Sequence, residues 1–172
     1  MELRKTLKLV HQILEDHDIH HILIGGLALV CHGSTRSTVD LDLLVLEEKK
    51  AQLKTLLEKT GFKIINETQE IIQFSGLGYV DILLARRPLS QKMLKAHHDN
   101  GPEGIPFAKA EDLIGLKIQA YKNDPSREHQ DKADIQFLIE NTEKLDWEKV
   151  KSYADLFDEW KVLNEIKKKI KL

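Results

Sequence analysis

The chain has 172 residues, with 26 lysines and arginines against 28 aspartates and glutamates, a formal net charge of −2, and 41% apolar residues. A chain of that length buries about 70% of the surface it would expose unfolded, so one domain or two small lobes with a real core are expected. The near-neutral balance excludes a strongly basic nucleic-acid binder, the single Cys31 excludes an internal disulfide, and the longest apolar run, Ile22 to Cys31, is about half a membrane span. A reducing cytoplasm, with no membrane partner, is the expected setting.

Leu3, Leu7, Val10 and Leu14 fall on one face of an amphipathic opening helix. Asp16-His17-Asp18 interrupts it, and Ile19 to Ile24 reads as a short β-branched strand ended by Gly25-Gly26. A helical turn of small residues, Leu27 to His32, and a polar loop from Gly33 to Thr38 follow. Val39 to Leu46, broken only by Asp40 and Asp42, has the length and composition of a buried strand. Glu47 to Lys59 is spaced as a helix, with Gly61 at its stop.

Three strand-like runs come next, Phe62 to Ile65, Glu70 to Phe74 and Tyr79 to Ala85, joined by hairpin-length connections that predict a partly antiparallel, mixed sheet. Beyond Arg86-Arg87-Pro88 the pattern turns helical, with helices expected over 89–98, 109–121, 127–140, 146–157 and 158–170. The fold class is therefore α+β, with a mixed-sheet core over 1–87 and an α-helical region over 88–172.

Asp40 and Asp42 are two apart in a strand, so both leave one face about 7 Å from each other. Among Leu41, Leu43, Leu44, Val45 and Leu46, two like charges repel unless a cation lies between them. Asp81 is a third lone carboxylate in an apolar strand, and Gly25-Gly26 offers backbone N–H groups suited to phosphate. Each feature has an ordinary structural reading when taken alone; their order along the chain gives a phosphate cradle and three metal-ligand carboxylates.

Ile24-Gly25-Gly26, the run Arg36 to Val45 and Val80-Asp81-Ile82 together resemble the DNA polymerase β-type nucleotidyltransferases. Within that superfamily the chain is similar to the small AbiEii-toxin-like subgroup. A second block, Asp112 to Ala120 and then Arg127 to Ile135, is similar to that subgroup's helical pattern of Lys followed by Asp-x-x-Asp. Two positions depart from the pattern: Gly26 stands where the superfamily usually has serine, and Gln130 where lysine is common.

The resemblance implies transfer of a nucleoside monophosphate from an NTP to an acceptor hydroxyl or phosphate, with release of pyrophosphate. It implies two Mg²⁺ ions, for which Mn²⁺ can substitute, held by Asp40, Asp42 and Asp81, with Asp81 as the candidate general base. Gly25, Gly26, Ser34, Arg36, Lys117 and Arg127 are the nucleotide-binding candidates, and Lys117 joins the three aspartates as a catalytic candidate. Lys117, in an otherwise apolar helix, needs a partner. Asp131 and Asp134 share a face of the next helix and can pair with it or orient it toward phosphate. The acceptor expected from the subgroup is tRNA or protein, in a toxin with a cognate antitoxin; the alternatives are a small antibiotic acceptor or a catalytically silent nucleotide-binding module.

Arg86-Arg87 is expected near the active-site edge as an acceptor contact. The pairs His20-His21 and His97-His98 read as surface residues that chelate poorly, because neighbouring side chains diverge. Trp147 and Trp160 read as helix-packing residues, and the lysine run 167–171 as a solvated helix end.

Overall fold

The computed structural model describes residues 3–170, and the chain divides into two compact units. The first comprises Met1–Cys31 with Thr35–Ala108, and the second His32–Ser34 with Lys109–Leu172. The sequence places its own division at residue 87.

The first unit contains helix α1 (Leu3–Glu15), strand β1 (His21–Leu23), helix α2 (Gly25–Cys31), strand β2 (Asp40–Leu46) and helix α3 (Lys50–Thr60). Strands β3 (Lys63–Glu67), β4 (Ile71–Ser75) and β5 (Tyr79–Ala85) follow, and helix α4 (Pro88–Lys95) comes after them. The five strands form one sheet in the order β1-β2-β5-β4-β3. Only β2 and β5 run parallel; the other pairs are antiparallel, so the sheet is mixed as the hairpin-length connections predict.

Alternation along these strands separates two faces. Leu41, Leu43, Val45, Ile72, Phe74, Val80, Ile82 and Leu84 are all buried and lie on one face. Helix α1 packs on that side, since its His11 reaches His21, whose register partner is Val45. The other face carries Asp40, Asp42, Gln73 and Asp81, each half-buried. Here the structure corrects the expectation of a uniformly buried strand from Val39: Val39 lies outside β2 and is 71% exposed, and β2 alternates until Leu44. Alternation wins because the strand has a packed face and a half-open one.

Edge strand β3 contains an irregularity. Ile64 pairs with Phe74 but Asn66 pairs with Gln73, so one extra β3 residue is inserted at Ile65. This bulge turns Ile65 outward, 58% exposed, and brings Asn66 opposite Gln73.

The second unit is helical: α5 (Ala110–Asn123), α6 (Glu128–Asn141), α7 (Trp147–Asp155) and α8 (Trp160–Ile170). Asp146 caps α7 by accepting from the Glu148 and Lys149 N–H groups. Trp147 and Trp160 meet edge to face with ring centroids 6.5 Å apart, as their packing role requires, and Lys167 lies over the Trp147 ring at 4.2 Å. Lys167 is thus a packing residue, contrary to the solvated reading of its run; Lys171 of that run lies outside the described residues. Among the described residues, no helix is long and apolar enough to cross a membrane.

Candidate active site

The three strand aspartates come together in the first unit. Asp40 opens β2, Asp42 follows on the same face, and the parallel register pairs Asp42 directly with Asp81 of β5. Adjacent strands lie about 4.8 Å apart, which sets the Asp42 and Asp81 carboxyl groups side by side, with Asp40 about 7 Å along β2. Three half-buried carboxylates on one face form an oxygen-only donor set, so the residues present fit a hard divalent ion such as Mg²⁺ or Mn²⁺.

A row of amides continues from the carboxylates. The Gln73 amide Nε2 donates to Asp81 Oδ2 at 2.9 Å, and the Asn66 Nδ2 donates to Gln73 Oε1 at 2.9 Å. A carboxylate only accepts, so Gln73 must present its NH₂ to Asp81 and its oxygen to Asn66. Asn66, Gln73, Asp81 and Asp42 are successive register partners across β3, β4, β5 and β2. Sequence reading missed Gln73 and Asn66. A polar residue at the middle of the alternating run Ile71-Ile72-Gln73-Phe74 was the available signal for Gln73; Asn66 depends on the bulge, which leaves no such trace.

The glycine pair lies against the same carboxylates. Gly25 starts α2 with φ +59, and a Cβ there would stand 2.2 Å from Asp42 Oδ2. The Gly26 N–H points at that oxygen over a long 3.4 Å contact. Gly26 has a different reason for its identity, since a Cβ on it would meet the Thr38 Oγ1 at 2.6 Å and the Thr38 Cβ at 2.7 Å. Thr38 fills the space in which a serine side chain would stand, and this accounts for the departure at Gly26. Arg36 lies exposed in the loop before β2, and Ser34 groups with the second unit.

Arg86 and Arg87 do not lie beside the aspartates. They follow the far end of β5, five and six residues beyond Asp81, or about 16 Å or more along the strand. There Arg86 Nε pairs with Glu47 Oε1 and an Arg87 Nη pairs with Glu70 Oε1, each at 2.8 Å. The expectation of an acceptor contact fails because β5 leads away from its acidic end.

In the second unit, Lys117 is buried with its Nζ 2.9 Å from Asp131 Oδ1 and 2.6 Å from Asp134 Oδ2. Arg127 Nε adds a contact to Asp131 Oδ2 at 3.2 Å, and Gln130 Nε2 donates to Asp134 Oδ1 at 3.2 Å. Two cations thus balance two carboxylates, and the uncharged Gln130 still binds Asp134 through its amide. The side chains of Lys117 and Asp134 are 8% exposed and that of Asp131 is 1% exposed, so their charges depend on each other.

A β2–β5 parallel pair with carboxylates at one end, antiparallel strands on either side and flanking helices define a polymerase β-like nucleotidyltransferase fold. The family model for aminoglycoside-2''-adenylyltransferase matches residues 6–105, more than half of the sequence, and the chain belongs to that family. No curated protein matches it. Among solved structures it is similar in fold to the antibiotic-resistance factor ANT(2'')-Ia, at 15% identity over 94% of each chain with a TM-score of 0.68. The complex of ANT(2'')-Ia with adenylyl-2''-tobramycin aligns at 17% identity over 90% of this chain and 96% of that one, with a TM-score of 0.65. Lincomycin-bound LnuA, a lincosamide antibiotic adenylyltransferase, aligns at 19% identity over 80% of this chain and 97% of its own, with a TM-score of 0.58.

Two stability outcomes test this arrangement. Gly26→Ser is expected to cost about 1–3 kcal/mol by overpacking against Thr38, and Thr38→Ala added to it is expected to recover most of that loss. Simple addition of the two single costs in chemical denaturation would show that the residues do not share one space. Lys117→Met, which leaves Asp131 and Asp134 buried without their ammonium, is expected to cost about 3–5 kcal/mol. An unchanged urea midpoint for that variant would remove the buried ion pairs as a support of the second unit.

Proposed function

We propose that this protein moves the nucleoside monophosphate of an NTP, with ATP the first candidate, onto a hydroxyl of a small antibiotic-like acceptor and releases pyrophosphate. The observation that carries this reading is the Asp42–Asp81 register, with Asp40 on the same face, lying inside the segment that the adenylyltransferase family model matches. Solved structures of similar fold hold adenylylated tobramycin and lincomycin, which supports a small acceptor in place of the toxin-like one. The toxin likeness rests partly on the Lys117 block, which lies outside the matched segment.

In this proposal Asp40, Asp42 and Asp81 hold the divalent ions. When bound, such ions neutralise charge on the phosphoryl oxygens. The Gly26 backbone amide faces the same carboxylate edge, with Gly25 closely packed against Asp42, and this glycine pair receives phosphate oxygens. Asp81 takes the proton of the acceptor hydroxyl, and the new ester bond to the nucleotide's α-phosphorus forms as the bond to pyrophosphate breaks. Gln73 holds Asp81 Oδ2 in place while it does so, backed by Asn66. Tyr79, paired in register with Asp40 and 55% exposed, offers an aromatic face beside the acidic end. Lys117 is asked only to hold its own unit together.

Pyrophosphate release from ATP with Mg²⁺ should require an acceptor from a panel that includes tobramycin and lincomycin. Release, or transfer of label, with tRNA or protein alone would return the toxin-like reading. ATP binding without turnover on any acceptor would favour a silent module. Asp81→Asn should lower kcat by about 10²–10⁴-fold with nucleotide binding retained. Gln73→Leu should lower kcat by about 10–100-fold at an unchanged unfolding midpoint; full activity in that variant would deny Gln73 its positioning role.

A further inference from the structure

On the sheet face opposite the aspartates, three side chains of the first unit converge without serving the proposed chemistry. His11 and Glu15 are one helical turn apart on α1, and His21 opens β1. One ligand atom from each lies within 4.8 Å of the other two. His11 Nδ1 and His21 Nε2 are 2.9 Å apart, with the rings inclined at 62°. His21 is 1% exposed, which overturns its reading as a surface residue, whereas His20 is exposed.

The tautomer of His21 is fixed. Its Nδ1 lies 2.7 Å from the Ile19 carbonyl oxygen, which only accepts, so Nδ1 carries the proton and Nε2 presents its lone pair toward His11. Burial lowers the basicity of the ring and so favours the neutral form, the one that ligates a metal. An imidazole whose second nitrogen donates to a backbone carbonyl is the usual arrangement around a ligating histidine. The two nitrogens stand about 0.4 Å closer than tetrahedral bonds of ~2.05 Å would set them, so a slight opening replaces the shared proton with an ion.

We propose that His11, Glu15 and His21 form a second metal site, selective for Zn²⁺ or a similar borderline transition-metal ion, that clamps the end of α1 to β1. Two imidazoles and one carboxylate suit Zn²⁺ and leave a fourth position for water, whereas Mg²⁺ prefers oxygen ligands throughout. The site is distinct from the carboxylate face in both donor chemistry and position, and it owes nothing to the proposed reaction. The sequence signal was the spacing His11-x3-Glu15-x5-His21; adjacent histidine pairs are the wrong pattern to search.

The test uses the full-length chain, stripped with chelator and carrying Asp40→Asn with Asp42→Asn so that the carboxylate face does not compete for metal. Zinc chloride should bind by calorimetry at one ion per chain, in the presence of millimolar Mg²⁺. It should raise Tm by roughly 5 °C at a hundredfold excess over Kd. Cobalt(II) should give the visible bands of a four-coordinate site. His11→Gln and Glu15→Gln, both changes on α1, should weaken binding at least tenfold and abolish the Tm shift. His21→Asn can fail by misfolding, so the two helix variants decide the question. Absence of zinc binding, or equal affinity in His11→Gln, Glu15→Gln and their parent, would overturn the site and leave His11 and His21 as a plain hydrogen-bonded pair.

Discussion

The parallel pairing of β2 with β5 is the constraint on which the candidate site depends. Because register partners in a sheet share a face, this pairing places Asp42 beside Asp81 at strand spacing. Like charges directly opposite each other destabilise a sheet, and an apolar core has no use for them. The surrounding structure is arranged to tolerate the pair. The aspartates lie on the half-open face, while the opposite face of β2, β4 and β5 buries apolar side chains. The Gly26 N–H faces one carboxylate and the Gln73 amide holds the other. In the proposed function a divalent ion would supply what these neutral donors do not, which is the compensating charge.

The polar row shows how precise placement is obtained from modest parts. Gln73 has two hydrogen-bonding ends, and its orientation is settled only because Asp81 accepts at one end and Asn66 donates at the other. Asn66 is in place only because β3 is bulged; without the extra residue, Ile65 would face Gln73. A packing irregularity at the sheet edge thus governs the orientation of a side chain on the neighbouring strand, and through it a carboxylate two strands away. The second unit solves its own charge problem differently, by enclosing Lys117 with Asp131 and Asp134, where loss of any member strands a buried charge.

Much of this was legible in the sequence, and the exceptions share a cause. Strand and helix positions follow from periodicity, and Asp40, Asp42 and Asp81 stand out as carboxylates in apolar runs. Lys117 with its two aspartates was equally plain, since a charge in an apolar helix demands a partner. What was hidden is which residue stands across from which, between strands above all. Gln73 and Asn66 gain meaning only opposite Asp81. Arg86 and Arg87 read as neighbours of Asp81 by sequence but stand at the other end of the strand. Gly26 read as a lost hydroxyl, although Thr38, twelve positions on, occupies the space. His21 looked like half of a histidine doublet, yet its partners are on the preceding helix. Period-two and period-3.6 patterns report which face a residue takes, and they carry no information on what lies across from it.

The same geometry bears on the proposed acceptor. A polyanion such as tRNA binds through a cluster of lysines and arginines, and neutralises several phosphates with them. This chain carries a formal net charge of −2, and the arginine pair nearest in sequence to Asp81 is committed to Glu47 and Glu70 away from the acidic edge. The face that holds Asp40, Asp42 and Asp81 presents negative charge beside an exposed tyrosine ring. On the proposed function, such an edge suits a compact, amine-bearing acceptor with hydroxyls to offer better than a polyanion. Electrostatics and the family match therefore support the same class of acceptor on independent grounds.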